Sequence, residues 1–149
     1  MKNYKSTISE LRLKKVKTDY KKVKIGSSQD VNDYVRQFYH DDLGIYESMF
    51  ILLLNNSMNT IGYAKISQGG VAGTVVDIRI VCKYAVDTLA SAVVLVHNHP
   101  SGSLKPSDAD MRVTKKVMEA LKVFDIGLAD HLIITEDSYY SFADGGLIG

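Results

Sequence analysis

The stretch that decides the fold is AVVLVHNHPSGSLKPSDAD, residues 92–110. Its first five residues, 92–96, are all apolar and predict a short strand that is covered on both faces. The strand leads into His97 and His99, and a loop with proline and glycine then reaches Ser107, the predicted N-cap of a helix. Because side chains two residues apart on an extended backbone point the same way, the two imidazoles can converge on one ion.

A carboxylate near the start of this helix adds a third metal ligand. Asp110 stands at the third helical position, from which a side chain projects back toward the helix N-terminus. With His97 and His99 it gives three protein ligands, and three ligands with an open fourth position are typical of a catalytic zinc site. A water in that position needs a general base to take its proton, and a carboxylate is the natural candidate.

The same residues also have simpler interpretations. A lone His-X-His pair is common in loops and cores, and Ser107-X-X-Asp110 fits a capping box in which Asp replaces the usual Glu or Gln. Capping and catalysis are compatible, because Ser107 can satisfy an orphan helix amide and still face a developing negative charge. The conjunction of paired histidines, a Pro/Gly loop, the acid after the cap and an upstream carboxylate favours metal binding.

This motif resembles that of a known protein family. Residues 97–102, HNHPSG, followed by Pro106-Ser107 and Asp110, resemble the signature of the RadC family, within the JAMM pattern of the JAB/MPN metalloproteases. That class also requires an upstream glutamate, and Glu47, just before the apolar run FILLLN, stands in its place. The likeness covers about residues 47–146 and includes Arg79 and the DHLII segment from Asp130.

The resemblance implies roles for five residues. In the class, two histidines and an aspartate bind zinc, a glutamate carries the proton of a metal-activated water, and a serine helps to stabilise the oxyanion. By resemblance, His97, His99 and Asp110 bind Zn²⁺, and Glu47 and Ser107 are catalytic. The implied fold is an α/β, JAB/MPN-like (cytidine-deaminase-like) mixed β-sheet flanked by about three helices. The implied activity is that of a metallopeptidase or isopeptidase acting on a protein or peptide.

Periodicity elsewhere predicts the surrounding elements. Ser28 is the predicted N-cap of a first helix that ends near Leu43-Gly44, and Asp77 is the predicted N-cap of a second. The predicted buried faces are Ile80, Val81, Tyr84, Ala85 and Leu89 in the second helix, and Met111, Thr114, Val117, Met118, Leu121 and Phe124 in the third. Apolar or alternating runs predict further strands over 50–55, 60–67, 131–135 and 139–142. Glycines at Gly69-Gly70 and Gly73 predict a break before the second helix.

Two residues beside the last hairpin are candidates for supporting roles. Because three ligands are already present, we expect His131 to be a hydrogen-bonded structural histidine rather than a fourth ligand. Its neighbour Asp130 is the candidate to orient an imidazole.

The composition is that of one ordinary domain. A length of 149 residues, 46% apolar and 23% charged, excludes disordered and membrane-embedded classes. The single cysteine, Cys82, excludes an internal disulfide and a Cys-based zinc site, and we expect it to pack as a small hydrophobe. Apolar runs are far shorter than the roughly 20 residues that cross a bilayer, and the N-terminus has no signal-peptide pattern. We expect a cytoplasmic protein without a membrane span.

Basic side chains are concentrated at the N-terminus. Residues 1–24 carry nine basic and two acidic side chains, a difference of +7, in a chain whose net charge is +1. We therefore divide the chain into a basic N-terminal arm, residues 1–26, and a RadC-like JAB/MPN metallohydrolase domain, residues 27–149. The arm is either a solvated extended segment or edge strand, or it tracks a nucleic-acid backbone in a salt-dependent way. It differs from the helix-hairpin-helix region that often precedes RadC domains.

Three functions remain open on the sequence. The first is a zinc hydrolase of amide or isopeptide bonds, with Glu47 as general base. The second is a DNA-associated accessory protein that binds nucleic acid through the arm without peptidase activity, in keeping with the historical link of RadC to DNA repair. A metal-dependent nuclease is a poor variant of it, since the three letters of HNH nucleases are far apart in sequence. The third is a partner-binding domain with an inert metal site.

Overall fold

A single mixed sheet organises the computed structural model, which describes residues 7–69 and 75–149. Its strands are β1 Ser48–Leu54, β2 Thr60–Gln68, β3 Ala92–Asn98, β4 Gly127–Ile134 and β5 Tyr139–Ser141, in the order β2-β1-β3-β4-β5. The helices are α1 Ser28–Val35, α2 Ile78–Asp87 and α3 Asp108–Lys122. The expected α/β class, with a mixed sheet and three helices, is confirmed. Lys2 and Lys5 of the arm, and the predicted break at Gly70 and Gly73, lie outside the described residues.

The central strand β3 runs parallel to β4 and antiparallel to β1. All seven residues of β1 and all seven of β3 are buried, which explains why neither sequence alternates. A fully buried leucine such as Leu95 contributes roughly 1.5–3 kcal/mol relative to an exposed one. The residues at the end of β3 are therefore held by a well-packed strand.

Two hydrophobic cores lie on opposite faces of the sheet. One contains Val31 and Val35 of α1, and the other contains side chains of both α2 and α3. Alternate residues of the central strands belong to different cores: Phe50, Leu52, Leu54, Val94 and Val96 to the first, and Met49, Ile51, Leu53, Val93 and Leu95 to the second. Because His97 continues the second series along β3, its ring lies on the face covered by α3.

Two of the three predicted N-caps are confirmed. Asp77 accepts the amide of Arg79 at the start of α2, and Ser107 caps α3. The third prediction is wrong by one residue, because Ser27, not Ser28, accepts the amide of the residue three positions later, at 3.2 Å. Ser28 is the first residue inside α1.

The first helix is also shorter than predicted. Its α-helical part ends at Val35, a 3₁₀ turn covers residues 36–38, and Tyr39 is extended. The buried Tyr39 hydroxyl donates to the carbonyl of Ser48 at 3.0 Å. This contact ties the chain to the start of β1, so the helix does not continue to Leu43-Gly44 as the apolar spacing predicted.

The apolar pattern also overestimates the buried faces of α2 and α3. α2 ends at Asp87, and Leu89 adopts a left-handed φ of 52° beyond it, which turns this side chain away from the core and leaves it 84% exposed. Phe124 likewise follows the end of α3 and is 51% exposed. Met111 and Ile80 are also exposed, whereas the fully covered positions are Val81, Ala85, Thr114, Val117 and Leu121.

The predicted hairpins are present, although most strand bounds shift by one or two residues and β4 begins four residues earlier than predicted. β4 begins at Gly127 rather than at His131, because it pairs in parallel with β3 from Ala92 onward. The described part of the arm, residues 7–26, has no strand beyond an isolated bridge from Lys24 to Asn59. The carbonyl of Val23 accepts the amide of Thr60, and the amide of Ile25 donates to the carbonyl of Met58, so the end of the arm is joined to the hairpin of β1 and β2. The prediction of an edge strand is therefore wrong for residues 7–23.

Two expectations from composition concern single features. Cys82 lies on α2, partly buried against the second core, and burial raises the pKa of its thiol, as expected for a packed side chain rather than a nucleophile. In the part of the chain that the structure describes, no helix has the length and apolar character of a transmembrane segment.

Candidate metal centre

Strand register brings Glu47 to the end of β3. β1 and β3 run antiparallel with Met49 opposite His97, so the residue two positions before Met49 lies beside the residue two positions after His97. Side chains alternate along both strands, and Glu47, Met49, His97 and His99 therefore point to one face of the sheet. This is the face that α3 covers.

A capping box positions Asp110 at the start of α3. The Ser107 amide donates to Asp110 Oδ2 at 2.8 Å, and the Asp110 amide donates to Ser107 Oγ at 3.0 Å. The capping interpretation of the sequence is confirmed, and the same carboxylate also faces the imidazoles. Asp110 Oδ1 lies 3.2 Å from His97 Nε2, and Oδ2 lies 3.2 Å from His99 Nε2.

The four predicted side chains form one compact group. One ligand atom from each of Glu47, His97, His99 and Asp110 lies within 4.8 Å of the others, which is an arrangement that can hold a metal ion. Glu47 stands slightly apart, since its Oε1 is 3.9 Å from His97 Nε2 and 3.7 Å from His99 Nε2. The imidazoles and Asp110 thus form an inner set of three, with Glu47 next to it.

The hydrogen bonds of His99 test whether this group suits a cation. His99 Nδ1 donates to the backbone carbonyl of Ser103 at 2.8 Å, so a neutral His99 presents the lone pair of Nε2 to the cluster. His97 Nε2 lies 2.9 Å from His99 Nε2, and both nitrogens face the Asp110 carboxylate. Lone pairs and a carboxylate this close together repel one another unless a positive charge lies between them. A ligand set of two imidazoles and one carboxylate suits a zinc ion.

The close contacts within the group shift the pKa values of Asp110, His99 and Glu47. Burial acts to raise the pKa of Asp110, but hydrogen bonds from His97 and His99 outweigh it and hold that pKa well below its usual range. The hydrogen bond to Asp110 in turn raises the pKa of His99. Burial, aided by Asp110, raises the pKa of Glu47 against the lowering effect of the imidazoles. A carboxylate with a raised pKa is suited to accept and release a proton near neutral pH.

A cleft of about 420 Å³ opens onto this cluster. Met49, Val76 and Val113 give it an apolar wall, and Ser101, Ser103 and Lys105 give it a polar one. A cleft of this size that combines an apolar wall with convergent polar groups is typical of a substrate site.

Asn98 is a supporting residue that the sequence analysis did not assign. It lies between the two histidines but points to the opposite face, where it is fully buried. Its Oδ1 accepts the amide of Ser48 at 2.8 Å, and its Nδ2 donates to the carbonyls of Leu43 and Tyr46 at 2.7 and 2.6 Å. These bonds hold the backbone before and after Glu47 in place. The signal was a polar residue at an inward-facing position of an otherwise apolar strand.

We expect Asn98→Ala to destabilise the fold and loosen Glu47. The substitution leaves the buried amide of Ser48 and the partly buried carbonyls of Leu43 and Tyr46 without their partner. A fully buried group left in this way costs about 1–3 kcal/mol. Chemical denaturation should show the loss of stability. The matched variant Asn98→Asp keeps the acceptor for Ser48 but faces the carbonyls of Leu43 and Tyr46 with oxygens, so it should also be destabilised. Wild-type stability in both variants would contradict this role.

His131 and Asp130 differ in part from expectation. His131 is fully buried and hydrogen-bonded, as predicted for a structural histidine, and burial lowers its pKa well below the usual range. The prediction that Asp130 orients an imidazole is wrong. Its carboxylate accepts the amides of His131 and Ala143 and the hydroxyl of Ser141, because the turn after β5 closes over it. The group that contacts Nδ1 of His97 is the imidazole of His131, whose Nε2 lies 2.7 Å away.

Comparison with known proteins agrees with this arrangement. The model of the RadC-like JAB domain matches residues 25–147, which is most of the chain and includes all four residues of the cluster. The chain belongs to the RadC-like JAB domain family. JAB domains as a class are generally hydrolytic, and the cluster of this chain could hold a metal ion.

Several curated RadC-family proteins resemble the chain over this domain. It is 49% identical over 102 residues to a UPF0758 protein of Flavobacterium johnsoniae, covering 68% of this chain and 44% of that protein. It is 47% identical over 103 residues to a UPF0758 protein of Porphyromonas gingivalis, covering 68% and 45%. It is 40% identical over 102 residues to the UPF0758 protein YfjY of Escherichia coli, covering 68% and 64%. The chain spans about half the length of the curated relatives it matches.

Proposed function

We propose that this RadC-like domain is a zinc-dependent hydrolase that cleaves amide or isopeptide bonds in a protein or peptide, with Glu47 as its general base. The observation that carries the proposal is the division of the cluster. Asp110 lies 3.2 Å from both imidazole nitrogens, whereas Glu47 stands 3.7–3.9 Å from them. This spacing suits three metal ligands and one neighbouring base.

His97, His99 and Asp110 would hold the ion. A zinc ion bound there supplies Lewis acidity, which polarises a carbonyl and lowers the pKa of a water. Three ligands from rigid elements suit this task, because β3 fixes the imidazoles and the first turn of α3 fixes the carboxylate. Ser103 further holds the ring of His99 through its carbonyl.

Glu47 moves the proton. Its side chain is only 12% exposed, and its Oε1 faces the imidazoles from the start of β1. Oε1 takes a proton from the attacking water and later delivers it to the leaving amine nitrogen, so one carboxylate serves as base and then as acid. The raised pKa of Glu47 favours this cycle near neutral pH.

Ser107 stabilises negative charge on the scissile carbonyl oxygen. Its Oγ accepts the amide of Asp110, so the hydroxyl proton itself remains available for donation into the cleft that Ser107 lines. The N-terminus of α3 adds the favourable end of its dipole at the same point. Ser107 therefore supports both the helix start and the reaction.

Metal removal tests the proposed reaction. Zinc-loaded protein should hydrolyse peptide or isopeptide-linked conjugates, lose that activity on treatment with a chelator, and regain it when zinc is restored. Release of free amine from a substrate panel measures the rate. Protein with a full zinc site that cleaves no amide or isopeptide substrate would overturn the assignment.

A second function, binding of nucleic acid through the arm, is favoured by a separate observation. The side chains of Lys14, Lys15, Lys17, Lys21 and Lys22 are exposed. In the described ranges 7–69 and 75–149, none of them takes part in a salt bridge. Surface lysines that make no salt bridge can follow a phosphate backbone and release its counterions.

Neutralising these five lysines tests the second function without unfolding the domain. Complete removal of the arm would also remove Tyr20, whose ring packs against Phe38 and Tyr63. Replacing the five lysines by glutamine should weaken binding to duplex or single-stranded DNA. On duplex, the slope of log affinity against log salt should become shallower by up to about 0.9 for each phosphate that a lysine no longer neutralises. Fluorescence anisotropy at several salt concentrations measures both effects, and an unchanged slope would discard arm-mediated binding.

A further inference from the structure

We propose that His131 and Thr114 are positioning residues that fix the imidazole tautomer of His97 required for metal binding. The inference rests on the metal site of the proposed function and adds to it two residues outside the ligand set. It is carried by a continuous chain of short hydrogen bonds inside the protein. Neither residue lines the cleft.

This chain of hydrogen bonds runs from the side chain of His97 to the backbone carbonyl of Asp110. His97 Nδ1 lies 2.7 Å from His131 Nε2, and His131 Nδ1 lies 2.6 Å from Thr114 Oγ1. Thr114 Oγ1 lies 2.7 Å from the backbone carbonyl of Asp110, one helical turn earlier. His97, His131 and Thr114 are 1%, 0% and 3% exposed, so bulk water does not compete for these bonds.

Two arrangements of protons satisfy this chain. In the first, the Thr114 hydroxyl donates to the Asp110 carbonyl, so Oγ1 accepts from His131 Nδ1–H, and His131 Nε2 accepts from His97 Nδ1–H. In the second, the hydroxyl donates to His131 Nδ1, and His131 Nε2–H donates to His97 Nδ1. The two arrangements leave opposite protonation states on His97 Nε2.

Only the first arrangement permits metal binding. The Nε2 atom of His97 faces Asp110 and His99, and it can bind a cation only with its lone pair free. A free lone pair on Nε2 puts the ring proton of neutral His97 on Nδ1, and that proton needs an acceptor. His131 Nε2 is the acceptor, and it is free to accept because Thr114 accepts the other ring proton of His131.

The surroundings hold His131 in this orientation. Its ring stacks on Phe142 with a centroid distance of 4.4 Å and an interplanar angle of 15°. On β4 it pairs opposite Leu95, two residues before His97 on β3, so its ring lies on the same face of the sheet as His97 and diagonally next to it. The stacking fixes the ring plane, so both ring nitrogens keep their partners.

Thr114 is the most informative position to change. Thr114→Val keeps the shape but removes the acceptor for His131 Nδ1–H, and this shifts His131 toward the tautomer that donates to His97. Thr114→Ser keeps the hydroxyl. We expect zinc affinity, measured by competition with a chromophoric chelator, to fall about 10- to 100-fold in Thr114→Val and to stay within a few-fold of wild type in Thr114→Ser.

A second pair of variants covers the case in which Thr114→Val fails to fold. Gln at position 131 can place a carbonyl oxygen near the Nε2 position and still accept from His97, whereas Leu cannot. We expect His131→Gln to bind zinc more tightly than His131→Leu. Equal affinities in this pair would contradict the inference.

Nitrogen NMR of the zinc-loaded wild type gives a readout that a purely structural role would not produce. We expect His97 and His131 both to carry their proton on Nδ1. A proton on Nε2 of His131 in the zinc-loaded protein, or wild-type zinc affinity in Thr114→Val, would overturn the inference while leaving the metal site in place. Failure of the wild type itself to bind zinc would instead overturn the proposed function.

Discussion

Glu47→Gln is expected to lower the rate of amide or isopeptide hydrolysis by about 10²- to 10⁴-fold while leaving zinc content unchanged. The amide keeps the size of the side chain but cannot accept and return a proton. Zinc content should persist because Glu47 Oε1 lies 3.7–3.9 Å from the imidazole nitrogens, outside the inner set formed with Asp110. Steady-state rates and metal analysis on the same protein samples measure both quantities.

Glu119→Gln provides a matched control for this prediction. Glu119 is exposed on α3 and does not line the cleft, so its loss should leave the rate unchanged. Loss of zinc together with activity in Glu47→Gln would mean that Glu47 is a ligand. An unchanged rate with full zinc content would remove Glu47 from the reaction.

Asp110→Asn is expected to weaken zinc binding by more than the roughly 10- to 100-fold that loss of an outer hydrogen-bond partner causes. The substitution removes the negative charge from the inner set, and the remaining imidazoles are neutral when they bind a metal. It also leaves one amide oxygen for the capping bond with Ser107, so the start of α3 should persist. Zinc competition titrations measure the affinity, and circular dichroism checks the helix.

Asp108→Asn separates metal binding from the effect of charge at the helix start. Both acids lie in the first turn of α3 and interact with its dipole, worth about 0.3–1 kcal/mol at an exposed position. Only Asp110 faces the imidazoles. Equal zinc affinities in the two variants would contradict the assignment of Asp110 as a ligand.

Local sequence predicts the parts of the site whose geometry is set within one strand or one helical turn. The in-phase histidines follow from strand alternation, and the cap at Ser107 with Asp110 facing back follows from the first turn of a helix. The placement of Glu47 came from the resemblance to RadC proteins. Its physical cause is the register of Met49 opposite His97, and strand periodicity alone does not encode the pairing of such distant segments.

Other features depend on contacts between segments and were missed or wrong. Asn98 holds the loop before β1, and His131 reaches His97 only because β3 and β4 pair in parallel. The first helix stops early because Tyr39 is drawn to Ser48, a contact that helical periodicity does not contain. Leu89 fits the helical spacing of α2, but it lies beyond the helix end and its own left-handed φ turns its side chain outward.

Anomalous diffraction from crystals of zinc-loaded protein, collected at the zinc absorption edge, tests the central claim most directly. We predict one peak at the point shared by His97 Nε2, His99 Nε2 and the Asp110 carboxylate, with Glu47 beside it and not bound to it. Absence of a peak at that point in fully loaded protein, or a zinc ion bound to other residues instead, would contradict the account.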